Sequence, residues 1–430
     1  MVVSPIKPFG AVIYNPEKIR DYSKVVCPPY DIISPAQQER LLKKDPHNLI
    51  HILLGRDVAG EDKYERAAVY FRQWLEEKVL IQEERPAIYF YSQQYHLKGE
   101  RRTRLGFISL LRLDNRRSAV FGHEHTRLEP KEDRLRLLRQ VQANLSPIFA
   151  VFKDKKRIIQ YVWQNCIRDK APFIEVTDEE AVIHKLWQVD KEGVLLKMQA
   201  ALQEESIFIA DGHHRYEVAC AFREEMLQKS GPLTGEEDFN YILSYFTNTD
   251  PRSLAILPIH RLLRLEAKPD AGAFRDKLKD YFGVEEVKDK TRLFFLLEKS
   301  GRTGEHVLGM YLDKRYWLLR LKNIKILDKV AGDKPKEYRS LDVFILNHII
   351  FSKILGLDPE NLTDSTNLSF YPSTQECITQ AEDRSIAFFL NPVTIEQIIS
   401  VALGGQRMPP KSTYFYPKVL SGLVINKFSV

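Results

Sequence analysis

The chain has 430 residues, which is too long for one ordinary hydrophobic core and predicts two or three domains. Hydrophobic residues make up 44% of the chain and charged residues 28%, a balance that excludes extended disorder. The net charge of +6 comes from interleaved acidic and basic residues, which suits a small anionic ligand but lacks the concentrated basic stripe of a DNA-binding surface.

The cysteines have no CxxC spacing, so neither a structural zinc site nor a disulfide framework is expected; they are Cys27, Cys166, Cys220 and Cys377. Cys27 has no chemical partner in the sequence and is expected to be a buried or incidental thiol. The first residues lack the apolar run of a signal peptide, and no stretch reaches the roughly 18 apolar residues of a membrane span. We therefore expect a soluble protein of the cytoplasm, where thiols stay reduced.

The first region, residues 1–113, is predicted to be an α/β region that begins with turn-rich chain. Prolines stiffen the segment Pro28–Asp31, because each one fixes φ and restricts its predecessor. Ser34 followed by Pro35 predicts a helix start, with serine as N-cap and proline at the first helical position. The other predicted elements are a helix over Lys63–Lys78, strands over Ala87–Tyr95 and Leu105–Leu113, and a charged hairpin loop over Lys98–Arg104.

The second region, residues 114–235, is predicted to be a phosphate-binding module. Leucine or valine recurs at positions 135, 138 and 141, the spacing of a helical stripe within residues 131–144. An apolar strand, Ser206–Ala210, leads into a turn over Asp211–His214, and Gly231 with Pro232 stops the helix that follows. The other predicted elements are a strand over Pro147–Phe152 and helices over Ile158–Arg168 and Arg215–Gln228, and Ser118–Phe121 is a short apolar run.

The third region, residues 236–430, is predicted to be a mixed α/β region. Its predicted elements are strands over Ile242–Thr247 and Tyr316–Leu321 and helices over Ser340–Leu355 and Ile395–Leu403. The run Met408–Lys418 has neither helical nor strand periodicity and is predicted to be a loop rich in donors and aromatic rings. No flexible linker separates the three regions, so the outer two are expected to pack on the middle module.

The segment from Asp211 to Arg215 has the composition of an anion-binding site. Gly212 lets the backbone approach a ligand closely, and the following helix presents free N–H groups and the positive end of its dipole. His213, His214 and Arg215 add side-chain donors, and an arginine can bind a phosphate through two hydrogen bonds. Asp211 is a candidate Mg²⁺ ligand or proton acceptor. The alternative is a plain strand-to-helix turn with Asp211 as N-cap.

Residues 122–126 carry a second group of polar side chains. His123 and His125 lie two positions apart, so on a strand they share a face and could bind one metal ion if a third ligand is supplied. Glu124 is a candidate general base, with Glu129 and Glu132 as further candidates. The alternative for these acids is an exposed, solvated helix start.

Lys411, Ser412 and Thr413 form a third group, together with Lys418. A lysine with two hydroxyl groups matches the donor chemistry of phosphate sites, although the glycine-rich frame of a P-loop is absent. The alternative is a docked C-terminal loop whose tyrosines pack on the core.

Several stretches of the chain resemble the uncharacterised-domain family numbered 1015. They are Val25–Asp31, Ile209–Glu217 and Met408–Lys418, together with His123-Glu124 and Asp133–Leu135. These stretches span most of the chain, so the resemblance is specific, but the family name implies no function.

The turn Asp211–Arg215 is also similar to the phosphate-binding turn of the ParB/sulfiredoxin superfamily, which includes sulfiredoxin, ParB-type nucleotidases and kinases of free serine. The amphipathic helix that leads to Pro147-Ile148 resembles the first elements of that superfamily. The resemblance implies that the turn cradles the phosphates of a nucleotide with Mg²⁺ and that an upstream acid assists catalysis. Sulfiredoxins have a cysteine at the position of His213, and no helix-turn-helix follows Leu227, so the Asp-Gly-His form resembles the serine kinases best.

We therefore predict a mixed α/β protein whose middle third is a ParB/sulfiredoxin-like nucleotide-binding module. The leading hypothesis is a kinase that transfers phosphate from ATP or ADP to the hydroxyl group of a small metabolite, with free L-serine as the first candidate. The predicted roles are phosphate binding by Gly212, His213, His214 and Arg215, Mg²⁺ binding by Asp211, closure over donor or substrate by Lys411, Ser412 and Thr413, and proton abstraction by Glu124 or, as second choice, Glu132.

Two other functions remain open at this point. One is a ParB-like nucleotide-dependent switch or nucleic-acid-associated protein, which would show a salt-steep affinity for DNA. The other is a metalloenzyme built on four histidines, His123, His125, His213 and His214. The kinase hypothesis expects no nucleic acid and no membrane partner, and the oligomeric state is not predicted.

Overall fold

The protein is described here by a computed structural model that covers residues 4–113, 120–124, 128–229, 231, 233–267, 269–332, 334–364 and 366–429. Its strands are, in chain order, β1 (Ile6–Lys7), β2 (Val12–Tyr14), β3 (Leu80–Gln82), β4 (Ile88–Leu97), β5 (Glu100–Arg112), β6 (Val120–Phe121), β7 (Ala143–Asn144), β8 (Ile148–Phe152), β9 (Ile174–Thr177), β10 (Ile183–Val189), β11 (Ile207–Asp211), β12 (Tyr241–Asn248), β13 (Ala255–Leu257), β14 (His260–Arg264), β15 (Phe282–Val287), β16 (Val307–Leu312), β17 (Arg315–Leu321), β18 (Leu368–Tyr371), β19 (Ser385–Phe389), β20 (Tyr414–Tyr416) and β21 (Asn426–Lys427).

The helices are α1 (Pro35–Lys44), α2 (Ile50–Leu53), α3 (Lys63–Glu76), α4 (Leu128–Val141), α5 (Ile158–Val162), α6 (Glu192–Leu202), α7 (His213–Lys229), α8 (Ala271–Lys279), α9 (Lys290–Thr303), α10 (Ile326–Ala331), α11 (Lys336–Arg339), α12 (Asp342–Ile345), α13 (Pro359–Asp364), α14 (Thr374–Thr379) and α15 (Ile395–Leu403). Segments of π-helix, Trp163–Ile167 and Leu346–Ile354, continue α5 and α12. Short 3₁₀ turns lie at Tyr22–Lys24, Tyr30–Ile32 and Asp238–Asn240. The prediction of a mixed α/β protein is confirmed.

The chain divides into two compact units. Unit 1 comprises Met1–Gly122, Thr126–Ala255 and Pro417–Val430, and unit 2 comprises His123–His125 and Ile256–Tyr416. Unit 1 is therefore discontinuous in sequence, because its last strand comes from the end of the chain.

Unit 1 is built on a mixed sheet. Its described strands lie in the order β6-β11-β8-β12-β5-β4-β10-β9. The short strand β1 stands outside this order and pairs with Leu110 and Leu111 of β5. The β8–β12 and β6–β11 pairs are parallel, and the other pairs are antiparallel. Every residue of β8 is buried, as expected for a central strand covered on both faces. This buried strand and its neighbour β11 hold the Asp211 turn on a rigid support.

The hydrophobic core of unit 1 lies between this sheet and helices α5 and α6. Buried Phe90, Phe107 and Phe246 from three neighbouring strands pack there with Met198 and Leu202 of α6. A smaller cluster joins α4 to α7 through Leu138, Val218 and Phe222, and the C-terminal Phe428 stacks on Phe222. The last residues of the chain thereby contribute to the core of unit 1.

Unit 2 has its own antiparallel sheet and its own core. The described strands of this sheet lie in the order β15-β17-β16-β19-β14-β18. Leu293 and Leu297 of α9 pack on buried Leu262, Val307 and Phe389 of the sheet. Since the core is closed within the unit, unit 2 meets the usual criterion for a domain.

The three predicted regions, 1–113, 114–235 and 236–430, are a different division from these two units. Strands of all three regions lie in the sheet of unit 1: β4 and β5 come from the first, β8 and β11 from the second, and β12 from the third. Hydrogen-bonded ladders therefore cross both predicted borders.

Local sequence signals account for many of the elements. Ser34 accepts a hydrogen bond from the backbone N–H of Gln37 and begins α1, as predicted. Asp62 caps α3 in the same way. The predicted loop Lys98–Arg104 is wrong, because Lys98 and Gly99 alone make the turn, with φ of +52° and +81°, and the charged residues after them continue β5.

The part of the chain that the structure describes contains no helix long and apolar enough to cross a membrane.

Candidate functional site

A tight turn joins β11 to α7 in unit 1. The strand ends at Asp211, the helix begins at His213, and Gly212 alone connects them with φ of +89°. Residues Ile207–Ala210 are buried and fix the direction in which the turn leaves the sheet. The structure thus has the strand, turn and helix expected from the sequence, and Asp211 is the last strand residue.

The guanidinium group of Arg215 packs against Gly212. A Cβ atom on Gly212 would lie 2.9 Å from Arg215 Nη2 and 3.0 Å from Cζ, so a larger residue would displace the guanidinium. Arg215 Nη1 donates to the carbonyl oxygen of Pro147, at the start of β8. Its Nε is buried and forms no hydrogen bond with any described residue. Arg215 therefore keeps an unused donor at the turn.

The carboxylate of Asp211 lies between two cations. Lys418 Nζ is 2.7 Å from Asp211 Oδ1, and Arg215 Nη2 is 3.2 Å from Oδ2. The exposed fractions of these side chains are 9% for Lys418, 11% for Arg215 and 17% for Asp211. Burial by itself raises the pKa of Asp211, but the ammonium and guanidinium groups outweigh burial and hold that pKa well below its usual range.

The C-terminal segment of unit 1 is held so that Lys418 reaches Asp211. The buried Arg104 of β5 donates to the carbonyl oxygen of Pro417 at 2.5 Å, and Gln93 of β4 donates to that of Lys418 at 2.8 Å. These bonds fix the backbone on both sides of the Lys418 Cα atom. The position of the ammonium group is therefore set by the sheet.

Tyr30 brings the N-terminal segment Pro28–Asp31 to the same part of unit 1. The Arg134 guanidinium lies over the Tyr30 ring, 4.5 Å from its centroid. Burial raises the pKa of Tyr30 well above its ordinary value, and Arg215 and Arg134 oppose this effect electrostatically. Tyr30, Arg134 and Arg215 also line one cavity of about 60 Å³, together with Ser146. Two arginines thus line one small space.

The remaining predicted residues of unit 1 are placed as follows. His213 is buried at the first position of α7, with its ring against Gly122, and His214 follows it. Glu132 lies exposed on α4, as its alternative reading as a solvated helix residue requires. The roles of His213, His214 and Glu132 stay predictions.

Asp211 in this arrangement does not fit the predicted Mg²⁺ ligand. Both of its oxygens already contact cations, and a divalent ion there would meet the like charges of Lys418 and Arg215. Among the described residues, no three His, Cys, Asp or Glu side chains are grouped as a metal site. The four-histidine alternative includes His125, which lies outside the described residues.

Glu124 lies in unit 2, where it holds the C-terminal loop. It forms a parallel β-bridge with Met408, and its Oε1 accepts a hydrogen bond of 3.1 Å from the backbone N–H of Lys411. The carbonyl oxygen of Lys411 accepts one of 3.0 Å from the buried Arg261. Lys411 adopts a left-handed conformation with φ of +59°, which is costly for a residue other than glycine. Contacts to both of its peptide groups stabilise this conformation.

The two other residues of that loop are held by short contacts within unit 2. Ser412 is buried and donates to the carbonyl oxygen of Pro409 at 2.6 Å. Thr413 Oγ1 lies 3.3 Å from Nε2 of the buried His123. The alternative reading of a docked C-terminal loop therefore describes what these three residues do in this structure.

The predicted site residues thus belong to both units: Asp211, Gly212, His213, His214, Arg215 and Glu132 to unit 1, and Glu124, Lys411, Ser412 and Thr413 to unit 2.

Sequence reasoning missed the pairing of Lys418 with Asp211 and the approach of Tyr30 and Arg134 to Arg215. A signal was present, because all three lie in the stretches that carry the family resemblance. Periodicity cannot reveal these contacts, since 207 positions separate Lys418 from Asp211, and Tyr30 and Arg134 also lie far from Arg215 in the sequence.

Comparison with known families gives one match. The model of the family described as "Protein of unknown function (DUF1015)" matches residues 6–344. No curated protein matches the chain.

Among solved structures, SbnI with C-terminal truncation from Staphylococcus aureus is 10% identical, with a TM-score of 0.35 over 73% of this chain and 85% of that one. A free serine kinase in complex with AMP is 14% identical, with a TM-score of 0.33 over 72% and 86%. A conserved hypothetical protein from Pyrococcus furiosus is 14% identical, with a TM-score of 0.33 over 73% and 92%. Sequence identities and TM-scores this low do not assign an activity to this chain.

Proposed function

This chain belongs to the family described as "Protein of unknown function (DUF1015)", and we propose that it is a nucleotide-dependent kinase. The reaction is transfer of a phosphoryl group from ATP or ADP to the hydroxyl group of a small metabolite, with free L-serine as the first candidate acceptor. The observation that supports the proposal is that Lys418 and Arg215 lie together at the turn in unit 1, and that Arg215 and Arg134 line one cavity.

A phosphate would bind at this turn beside Asp211, which stays paired with Lys418 and Arg215. The two cations together carry one positive charge more than the Asp211 carboxylate neutralises, and that excess attracts an anion. The unpaired Nε of Arg215 supplies a further donor. Positioning and neutralisation of charge are most of what phosphoryl transfer requires from a protein.

The adjoining cavity limits what binds inside it. Its volume of about 60 Å³ has room for a phosphoryl group, so the rest of the nucleotide lies outside it. In the proposal, His213 and His214 bind the phosphates together with Arg215, and Gly212 allows the close approach of the backbone.

The roles of the other predicted residues complete the proposal. Glu124 is the base that accepts the proton of the acceptor hydroxyl group, with Glu132 as second choice, and Lys411, Ser412 and Thr413 contact donor or substrate. Mg²⁺ is the expected ion of the nucleotide, where it is usually bound mainly by phosphate oxygens and water. Because Asp211 is occupied by Lys418 and Arg215, no step of the reaction is assigned to a metal on Asp211.

Replacement of Arg215 tests the phosphate site. Arg215→Ala removes a charged donor, and we expect nucleotide affinity to fall roughly ten- to a hundredfold, the worth of about 1.5–3 kcal/mol. The measurement is calorimetric titration with ATP and with ADP, each with Mg²⁺ and with a chelator. Arg139→Ala is the matched control, because Arg139 is an exposed arginine of α4 paired with Glu225. Unchanged affinity in a folded Arg215→Ala protein contradicts the phosphate site.

Replacement of the base separates catalysis from nucleotide binding. Glu124→Gln is expected to lower turnover about 10²–10⁴-fold while nucleotide affinity changes little, because the base contacts the acceptor and not the phosphates. Turnover is followed by mass spectrometry of new phosphate esters from a panel of hydroxylated metabolites. If Glu124→Gln and Glu132→Gln both retain full turnover, the base is another residue, and if no ester forms with the wild type, the kinase proposal fails.

A further inference from the structure

Unit 2 contains a cavity of about 270 Å³ whose walls come from β14, α9, α12 and α15 and from the C-terminal loop. Ligand sites for drug-sized molecules usually have volumes of about 300–1,000 Å³. This cavity therefore has the size for a small metabolite and is too small for a nucleotide.

A buried cation lines the cavity. Arg261 is 2% exposed and forms no ion pair with any described residue. It donates to the carbonyl oxygens of Ile259 and Lys411, which leaves further N–H groups of its five for a ligand. Burial lowers the pKa of Arg261 to about 9, and Glu124 opposes this effect, so the side chain is charged at neutral pH. Because Arg261 forms no direct ion pair with a described residue, an anion in the cavity would stabilise its buried charge further.

A paired histidine and carboxylate line the same cavity. Nδ1 of His306, at the border of α9 and β16, lies 3.2 Å from Oδ1 of Asp342, the first residue of α12. Burial raises the pKa of Asp342, and His306 opposes this effect. Since Nδ1 faces the carboxylate, Nε2 of His306 is the ring nitrogen that remains for a ligand, and no described residue bonds to it.

The other polar wall of the cavity consists of neutral side chains. Asn391 lies close enough to Asp342 to lower the pKa of that carboxyl, yet its buried Nδ2 completes no hydrogen bond with any described residue. Buried amide groups are rarely left without a partner, so this one marks a place for a polar ligand atom. Ser412 and Thr394, the N-cap of α15, also line the cavity.

We propose that this cavity is a ligand site for a small hydroxy acid, with the carboxylate of the ligand on Arg261 and its hydroxyl group beside the His306–Asp342 pair and Asn391. Arginine binds carboxylates through two parallel hydrogen bonds, and a hydroxyl group both donates and accepts beside a histidine and an amide. This proposal concerns unit 2 and does not rest on the kinase proposal.

The charges around the cavity favour a monocarboxylate over a phosphate. Asp342 and Glu305 line it together with Arg261, so a dianion would meet carboxylates as well as the guanidinium group. One negative charge with adjacent hydroxyl groups matches the lining best.

The test is calorimetric titration of the full chain without nucleotide, using three probes of similar size. Glycerate carries both groups, propionate lacks the hydroxyl groups, and propane-1,2-diol lacks the carboxylate. We expect saturable binding of glycerate, at least about tenfold weaker binding of propionate, and none of the diol, as loss of hydrogen bonds to buried partners implies. The proposal is overturned if glycerate does not saturate the protein below about 1 mM, the upper end of ordinary metabolite affinities. It is also overturned if inorganic phosphate binds more tightly than glycerate.

Variants place the binding in this cavity. Arg261→Lys keeps the charge but loses the two-pronged contact, and we expect at least tenfold weaker binding of glycerate. Because Arg261 also holds Lys411, Asn391→Leu is the second variant, which leaves that loop contact in place and should weaken glycerate severalfold. Arg315→Lys, on the exposed end of β17, is the control and should bind as the wild type does. The assignment is overturned if the Asn391→Leu and Arg261→Lys proteins both fold and both bind glycerate as tightly as the wild type does.

Discussion

The ion triad of Asp211, Lys418 and Arg215 makes the stability of unit 1 depend on pH in a definite direction. The pKa of Asp211 is lower in the folded protein than the value near 3.9 of an unfolded chain. Its contribution to the free energy of unfolding is therefore complete above about pH 4–5 and is lost as the pH falls through the lower, folded value. Asp211→Asn removes this contribution and leaves the ammonium group of Lys418 buried without its carboxylate.

We expect Asp211→Asn to lower the free energy of unfolding by about 3 kcal/mol at pH 7, the scale on which breaking a buried ion pair destabilises proteins. The difference from the wild type should stay level from pH 8 to about 5 and shrink below about pH 4. Urea denaturation at a series of pH values measures it. Asp169→Asn is the control, because Asp169 is 81% exposed beside Arg168 and should have almost no effect. A difference independent of pH down to 3 would contradict the role given to Asp211.

At the scale of residues, the sequence identifies partners that are close in the chain better than partners that are far apart in it. Arg215 and Asp211 lie four positions apart, and composition alone marks both as candidate site residues. The cation nearest to Asp211 is Lys418, which arrives from the other end of the chain through bonds to β4 and β5. No local pattern encodes that partner, because the register of the sheet decides which side chains meet.

Gly212 carries the geometry of the turn between β11 and α7, and a set of glycine substitutions measures that role. At Gly212, an alanine suffers both from the positive φ, worth about 1–2 kcal/mol, and from contact with the Arg215 guanidinium at 2.9–3.1 Å. We expect Gly212→Ala to destabilise unit 1 by more than Gly99→Ala, which has a positive φ of +81° and open space around it. Thermal or urea denaturation of both variants gives the comparison.

The matched control is Gly193→Ala. Gly193 lies in α6 with nothing within 4 Å of its Cβ position and without a positive φ, so alanine should stabilise the protein by about 0.5–1 kcal/mol. Equal destabilisation by Gly212→Ala and Gly99→Ala would mean that the contact with Arg215 costs nothing. In that case the guanidinium group moves freely and is not held over the turn.

At the scale of elements, periodic segments with end signals could be predicted from the sequence. The helix α15 is found over the predicted residues Ile395–Leu403, and α1 begins at the predicted Ser34-Pro35. Short strands with weak patterns were missed, such as β9, and the run Met408–Lys418 contains β20, which was predicted as loop. Tertiary pairing decides such short strands, because three or four residues carry too little local preference.

The whole molecule shows why domain borders were hard to place. The sequence has no linker, and its composition does not change near Ala255, where the chain passes from unit 1 into unit 2. The return of the chain to unit 1 at Pro417 falls within the aromatic run Met408–Lys418. When the chain leaves a unit and returns to it, the borders of the unit depend on which distant strands pair with each other. Amino-acid composition does not show that pairing.

Fragments of the chain distinguish the two divisions. Residues 114–235 contain β8 and β11 but lack β12 and β5. In this fragment the edge of β8 that pairs with β12 in the full chain is exposed, so the fragment should be unfolded or aggregated when expressed alone. Residues 256–416 contain the complete sheet of unit 2 and its core, and this fragment should unfold cooperatively. Circular dichroism with thermal melting and limited proteolysis of the full chain provide the measurements. A stable proteolytic fragment of about residues 120–230 that binds nucleotide would show that the middle module folds by itself, and would contradict the view that strands from both ends of the chain are needed to complete unit 1.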